Sequence, residues 1–503
     1  MSGFGRAACV ALQGLAGVGV QIEVHASSGL PRVHVVGLPD RAVQQAQHRT
    51  WSAIARMGVT APSGKVVINL TPASLPKAGT HFDLAMAVAV LRAIGVVPAD
   101  DGSTALVGEL GLDGRLRPVA GTLPLARAAA GFGLTRIVVP TASVDEASLV
   151  EGLRVLGAPS LAHAAALLGA DIDPEPVEPV PAAAATPRSH TDLDLADVVG
   201  NREAVQALEI AAAGAHHLMM VGPPGAGKTM LAMRLPGILP PLDTDAALEV
   251  ASLRSLAGEP APPTLDAVPP FEHPHHSATA VSLIGGGSGT IRPGAAARAT
   301  HGVLFLDEAP EFPRAVLDML RQPLESGTIT IHRAAGVATF PARFQLLLAA
   351  NPCPCGLFGT GDCSCAPQQR RRYFGRLSGP LLDRVDLQVR VDRVAPGSEG
   401  ERRTTAAASA SVAAARARAA RRLEGTGWAA MGHVPGPWLR RNLPLDRSLL
   451  EPLERAVERG ALTMRGMDRA IRVAWTAADL DDAATPTRAH IGRALALRKG
   501  IPA

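Results

Sequence analysis

Lysine is nearly missing from this chain. Of 49 basic residues only four are lysines (Lys65, Lys77, Lys228 and Lys499), and the other 45 are arginine. Aromatic residues are scarce too, at 3% with a single tyrosine, which excludes an aromatic-rich module that stacks nucleobases. Charged residues make up 19% of the 503 positions and leave a net charge of +4. So small a sum excludes an acidic tail but reveals no nucleic-acid footprint, which requires clustering. An Ala/Gly/Pro/Arg surplus also follows from the nucleotide composition of a gene, so the arginine count carries no argument alone. Five cysteines, four of them between Cys353 and Cys365, do not suit a disulfide framework. No run reaches the ~18 apolar residues of a membrane span; the run 82–94 is broken by Asp83 and Arg92. The apolar stretch 9–20 is similar to a signal-peptide core. However, only Arg6 precedes it, and it runs into the alternating Gln21-Ile22-Glu23-Val24-His25. A soluble, cytoplasmic protein with no membrane contact is expected.

What is present is a 47% hydrophobic chain, too apolar for disorder and long enough for about three domains at roughly 100–200 residues each. Periodicity predicts strands over 18–24, 32–36, 66–70, 105–110 and 136–139, with helices over 40–57, 82–94 and 121–130. That is an α+β domain over 1–168. A Pro/Ala-rich stretch makes 169–190 a linker. Strand and helix alternate again over 191–395, with glycine loops at strand ends. Helical patterns fill the last domain, 396–503, over 401–423, 449–458, 467–480 and 488–499.

The strongest local signal is Gly222-Pro223-Pro224-Gly225-Ala226-Gly227-Lys228-Thr229, between an apolar strand at 217–221 and a helix start at 230. Such glycines let successive N–H groups face phosphate oxygens at a helix N-terminus. Lys228 then reaches the β- and γ-phosphates of ATP, and the Thr229 hydroxyl holds Mg²⁺. A second apolar strand, 303–306, ends in Asp307 and Glu308; Asp307 is a further Mg²⁺ ligand and Glu308 polarises the attacking water. A third, 344–350, ends in Asn351, placed to orient the γ-phosphate or the water. Arg384, between Asp383 and Asp386, reads either as a surface ion pair or as an arginine finger offered to a neighbouring subunit.

Taken in order, residues 193–235, 301–312 (HGVLFLDEAPEF), 321–325 (RQPLE), 351–356 (NPCPCG) and 378–387 (SGPLLDRVDL) closely resemble the YifB/ComM family of magnesium-chelatase-like AAA+ ATPases. The resemblance implies an α/β fold class: a ribosomal-S5/Lon-protease-like N-terminal domain, a central AAA+ P-loop domain and a C-terminal helical lid. It matches Arg384 to the finger and Arg465 to the sensor-2 arginine, with Arg469 and Arg472 as nearby rivals. It further implies a ring, a homohexamer with ATP between subunits, and translocation on single-stranded or branched DNA as a branch-migration helicase in recombination or transformation. The alternative is a chelatase-like motor that remodels a protein partner without moving DNA.

Four other features bear on chemistry. Cys353, Cys355, Cys363 and Cys365 form two C-x-C pairs that either close a structural Zn²⁺ site or remain a redox-labile thiol loop. His273-Pro-His275-His276 reads as a mobile loop facing the ring pore, and the glycine-rich 284–290 as a flexible loop. Arg402, Arg403, Arg416, Arg418, Arg421 and Arg422 either contact nucleic-acid phosphates or form a solvated helix face. Finally, the Lon-like resemblance puts His81 at the serine position and Leu123 near the lysine position of a protease dyad. Without hydroxyl and base the dyad is lost, leaving a regulatory or substrate-binding domain.

Overall fold

The computed structural model describes residues 3–182 and 193–499, except 260, 263, 288–289, 334–335, 359–361 and 395–401. Of the expected linker, 171–182 has no regular secondary structure and 183–190 lies outside the described residues. The start of the expected helical domain, 396–401, also lies outside them.

The N-terminal part is built on a long hairpin in which β1 (Gly3–Gln13) pairs with β2 (Ala16–Ser27), Cys9 opposite Val20. The apolar stretch 9–20 is thus the closed end of that hairpin. Strand β1 escaped the periodicity reading because GFGRAACVALQ has few β-branched residues to mark it. Its glycines answer to packing instead. A Cβ on Gly5 would lie 2.1 Å from the carbonyl oxygen of Ala89, so the covering helix could not approach as it does. With β3 (Arg32–Val36), β4 (Lys65–Thr71), β5 (Thr104–Leu106), β6 (Arg136–Pro140) and β7 (Arg154–Ala158), the sheet has seven strands in the order β3-β4-β2-β1-β5-β6-β7. Helices α1 (Arg41–Arg56), α2 (Asp83–Ala93) and α3 (Thr122–Gly131) cover it.

Helix α2 is buried along nearly its whole length, and its first residue is a carboxylate. Asp83 accepts two hydrogen bonds from Arg49, at 2.6 and 2.9 Å, and a third from the Leu110 backbone N–H at 3.1 Å. Burial pushes its carboxyl up to about 6, against the pull of Arg49.

The central part carries α4 (Arg202–Gly214), β8 (Leu218–Val221), α5 (Lys228–Ile238), α6 (Thr244–Ala257), β9 (Phe271–Glu272), β10 (Val303–Leu306), the hairpin β11 (Thr328–Arg333) and β12 (Gly336–Pro341), β13 (Gln345–Ala350) and β14 (Leu387–Arg390). Five of these strands form a parallel sheet in the order β9-β10-β13-β8-β14. Continuous apolar runs such as VLFL and QLLLAA suit strands covered on both faces. The C-terminal helices α7 (Thr405–Arg422), α8 (Arg447–Glu458), α9 (Met464–Leu480) and α10 (Arg488–Lys499) share one core with this sheet, where Leu208, Leu235 and Leu347 meet Val412, Ala474 and Ile491. The N-terminal part meets the central part at α6. There Gly121 N–H donates to the Ser255 carbonyl at 3.0 Å, and Leu123 packs with Ala251 and Ala261.

Of the arginine series, Arg402 and Arg403 lie just before α7 and the other four on it, and most turn inward. Arg403 pairs with Glu209 at 2.8 Å, Arg416 donates twice to the Ala212 carbonyl, and Arg422 grips Asp479 while lying over the Trp475 ring. Arg418 donates to the Asp479 carbonyl, so only Arg402 and Arg421 of the six are exposed. This corrects both sequence readings: four of these arginines bind helices together rather than forming a free basic face.

Truncating one partner of a buried ion pair leaves the other charged and unsolvated. Asp83→Ala should therefore lower the stability of the N-terminal part by about 3–5 kcal/mol, read as an early transition in urea unfolding followed by circular dichroism.

Candidate nucleotide site

Parallel pairing sets the geometry. Val221 lies beside Ala350, and Leu306 beside Leu348, so three neighbouring strands release their C-terminal ends at one edge. From β8 comes the glycine loop, from β10 Asp307 and Glu308, and from β13 Asn351. Open parallel sheets bind ligands at this edge.

Within the loop, Gly222 is required because a Cβ there would fall 1.9 Å from the Val391 carbonyl oxygen. Gly227 has φ +93°, the left-handed region that lets the chain turn into α5 at Lys228. The Lys228 ammonium donates to the Gly222 carbonyl at 2.6 Å, the Pro223 carbonyl at 3.0 Å and Asn351 Oδ1 at 3.1 Å. Burial lowers its pKa, and Asp307 and Glu308 oppose that shift by their charge. Thr229 Oγ1 donates to Asp307 Oδ2 at 2.6 Å, so a hydroxyl and a carboxylate converge beside the loop. Hard oxygen donors of this kind fit Mg²⁺. Glu308 has φ +50°, and its carboxylate lies 3.2 Å from His276 Nδ1.

The structure thus brings Lys228, Thr229, Asp307, Glu308 and Asn351 together. Arg384 sits elsewhere: its guanidinium pairs with Glu325 and donates to the Pro380 carbonyl at 2.6 Å. Arg465 is exposed in the first turn of α9. One turn further on, Arg469 donates to Asp386 Oδ1 at 2.5 Å and to the Arg384 carbonyl at 2.8 Å. Arg472 is largely buried, which lowers its pKa.

Two supports were not visible in the sequence. Asn201 binds the Asp392 carbonyl at 2.9 Å and the Ala226 carbonyl at 3.4 Å, tying the glycine loop to the end of β14. The sole tyrosine, Tyr373, is buried, hydrogen-bonds the backbone of Asn351, and has its phenol pushed up chiefly by burial. A Gly-Asn pair before a helix was the one local hint for Asn201. In the loop 273–276, His276 reaches Glu308 and the His273 ring packs 4.7 Å from that of Phe305. Of the glycine-rich 284–290, Gly285–Gly286 pairs with Arg292–Pro293, and 288–289 lies outside the described residues.

Next to Asn351, the four cysteine sulfurs lie within 4.8 Å of one another. Cys353 is 3.3 Å from Cys355 and 3.8 Å from Cys363, and Cys355 is 3.7 Å from Cys363. A tetrahedron with metal–sulfur bonds of about 2.3 Å has edges of about 3.8 Å, so the cluster fits a thiolate-bound metal. The Leu357 backbone N–H, then the Cys353 and Cys365 thiols, bring Cys355 down to about 6.

The N-terminal part has no protease dyad among the described residues. Thr80 donates to Glu109 at 2.5 Å, and Leu123 is fully buried. His81 is held neutral to about pH 4 by burial and bonds the Val10 carbonyl.

Family models match three stretches of the chain: magnesium chelatase, subunit ChlI, over 194–398; subunit ChlI of Mg-chelatase over 22–143; and its C-terminal part over 402–498. An uncharacterised protein of Mycobacterium tuberculosis is 47% identical over 499 residues, 98% of each chain. Competence protein ComM of Haemophilus influenzae is 40% identical over 485 residues, and YifB of Escherichia coli is 39% identical over as many. Each of these two alignments covers 95% of this chain and 94% of the relative.

Lys228→Ala should weaken ATP binding by at least about tenfold, roughly 1.4 kcal/mol, in titrations with a fluorescent ATP analogue. Unchanged affinity would move the phosphate site away from this loop.

Proposed function

Because the chain belongs to the YifB/ComM family of magnesium-chelatase-like AAA+ ATPases, we propose that it hydrolyses ATP between the subunits of a ring, a homohexamer, and uses the energy to translocate on single-stranded or branched DNA. The convergence of Lys228, Asp307, Glu308 and Asn351 on one sheet edge carries the hydrolysis reading. In this mechanism the water oxygen bonds to the γ-phosphorus as the bond to the β,γ-bridging oxygen breaks. Glu308 takes the water's proton and ADP leaves. Lys228 steadies the phosphates, and Asn351 orients the γ-phosphate or the water. Thr229 and Asp307 would hold Mg²⁺, which supplies charge neutralisation when bound. Arg384 is the finger for a neighbouring subunit, consistent with its contacts lying away from its own glycine loop, and Arg465 is the sensor-2 candidate.

The DNA reading is supported by the likeness to ComM, whose name is that of a competence protein. The four inward-turned arginines, Arg403 before α7 and Arg416, Arg418 and Arg422 on it, give it no help. Cys353, Cys355, Cys363 and Cys365 are proposed as structural Zn²⁺ ligands, supported by sulfur separations close to a tetrahedral edge.

ATP turnover measured with and without single-stranded or forked oligonucleotides, together with strand displacement, tests the function. Stimulation by DNA and unwinding of the fork are expected for the wild type, and Glu308→Gln should lose at least about a hundredfold in turnover while still binding ATP. Normal turnover that DNA neither binds to nor alters leaves the protein-remodelling motor instead. Metal analysis of the purified protein should return about one zinc per chain; less than about a tenth removes the zinc reading.

A further inference from the structure

The chain that follows β13 leaves the nucleotide site and comes back to it. It departs at Asn351, whose Oδ1 accepts from Lys228 at 3.1 Å. The next turn is tight: the Gly356 N–H donates to the Cys353 carbonyl at 2.9 Å, with Gly356 at φ +76°. Beyond Cys365 the chain enters the helix Pro367–Phe374, whose start is fixed by the Ala366 N–H on Gln369 Oε1 at 3.0 Å. Tyr373, on that helix, hydrogen-bonds the backbone of Asn351 and so returns the excursion to its origin. On the way it touches the glycine loop. Gly356 is buried, and a Cβ on it would lie 2.6 Å from Cδ and 2.7 Å from Cγ of Pro224. Its backbone therefore rests on the Pro224 ring, an approach that glycine permits. The Pro224 carbonyl also accepts from Arg393 Nε at 3.2 Å.

We infer that the metal site formed by Cys353, Cys355, Cys363 and Cys365 braces the nucleotide site, so that affinity for ATP depends on bound Zn²⁺. This brace presupposes two readings proposed above, that these thiolates hold zinc and that the glycine loop holds phosphate. Among the described residues of 351–366 there is no helix or strand, so ordering this stretch carries an entropic cost. The four sulfurs, within 4.8 Å of one another, join its two halves, 353–355 and 363–365. Bonds from thiolates to a metal exist only in the folded arrangement, and their free energy appears as ordering of the segment that carries them. Here that segment presents Gly356 to Pro224 and Asn351 to Lys228, two contacts with the glycine loop and the residue that ends it. Four thiols without a metal have only weak S–H donors to hold them together. Residues 351–366 are then free to leave Pro224, and a loop that must be ordered again on binding ATP binds it less tightly. The cysteines are thus positioning residues that act through Gly356 and Asn351.

The full chain, kept under reducing conditions, is titrated with a fluorescent ATP analogue in the presence of Mg²⁺. Zinc is first stripped with an excess of chelator, which is then itself removed, and circular dichroism follows the helical content. Stripped protein should bind the analogue at least about tenfold more weakly, and one equivalent of Zn²⁺ should restore the original affinity. Gly356→Ala keeps all four thiols but spoils the contact with Pro224. It should retain about one zinc per chain and still bind the analogue roughly fivefold more weakly. Should stripping unfold the chain, Gly356→Ala alone decides. Wild-type affinity in zinc-loaded Gly356→Ala, or in stripped protein that stays folded, overturns the brace and leaves the zinc and ATPase readings standing. Purified protein without zinc overturns the zinc reading and the brace together. Zinc-loaded wild type that does not bind the analogue removes the nucleotide site, and the brace with it.

Discussion

A buried ammonium is an expensive thing to place, and the centre of this protein is organised around one. Lys228 reaches across 123 positions of sequence to Asn351 and is capped by two carbonyls of its own loop. Those partners stand within reach only because β8 and β13 pair in parallel, with Val221 beside Ala350, and the Gly222 N–H itself donates to the Ala350 carbonyl at 3.1 Å. Shifting that pairing by one residue would turn every apolar side chain of a doubly covered strand the wrong way, so the core that fixes the register also fixes the site. Burial favours the neutral lysine. The negative charges of Asp307 and Glu308 offset that tendency, which keeps the ammonium ready for phosphate.

The same core extends beyond the sheet. Leu208, Leu235 and Leu347 pack in one cluster with side chains of the C-terminal helices, and the arginines of α7 bind that layer from inside. Arg416 and Arg422 act as long donors to a carbonyl and to Asp479, which explains why arginine serves where lysine is nearly absent. Its planar fork places two donors side by side, on one carbonyl at Arg416 and on both carboxylate oxygens of Asp479 at Arg422. Arg469 completes the link, joining α9 to Asp386 and to the backbone of Arg384. Arg469 thereby ties the helical part to the backbone of Arg384, the residue proposed above as the finger.

Legibility in the sequence followed locality. The glycine loop, Asp307-Glu308 and the helices over 467–480 and 488–499 announce themselves in short windows, through spacing or period. Strand β1 did not, since its glycines and alanines are chosen for close helix approach rather than for strand propensity. The contacts of His276 and Tyr373 were invisible for a different reason: each depends on which strands are neighbours, and no window contains both partners. The arginines of α7 misled in the opposite sense. A row of cations looks like a surface, and only the fold supplies Glu209, Asp479 and the Ala212 carbonyl that draw it inward.

The N-terminal part is joined to the central part through a position where an apolar side chain is required. Where the Lon-like resemblance calls for a lysine, Leu123 packs with Ala251 and Ala261 on the ATPase side. A lysine there would lose its hydration beside Glu146, whose carboxyl is itself pushed up by burial and already accepts from the Leu123 N–H. Catalysis and docking therefore compete for one position, and the apolar side chain decides for docking. Arg127 and the Gly121 N–H extend the contact to Ser252 and Ser255 of α6, one turn of polar anchoring beside the apolar knob. The N-terminal part is thus fastened to α6 by an apolar contact flanked by hydrogen bonds.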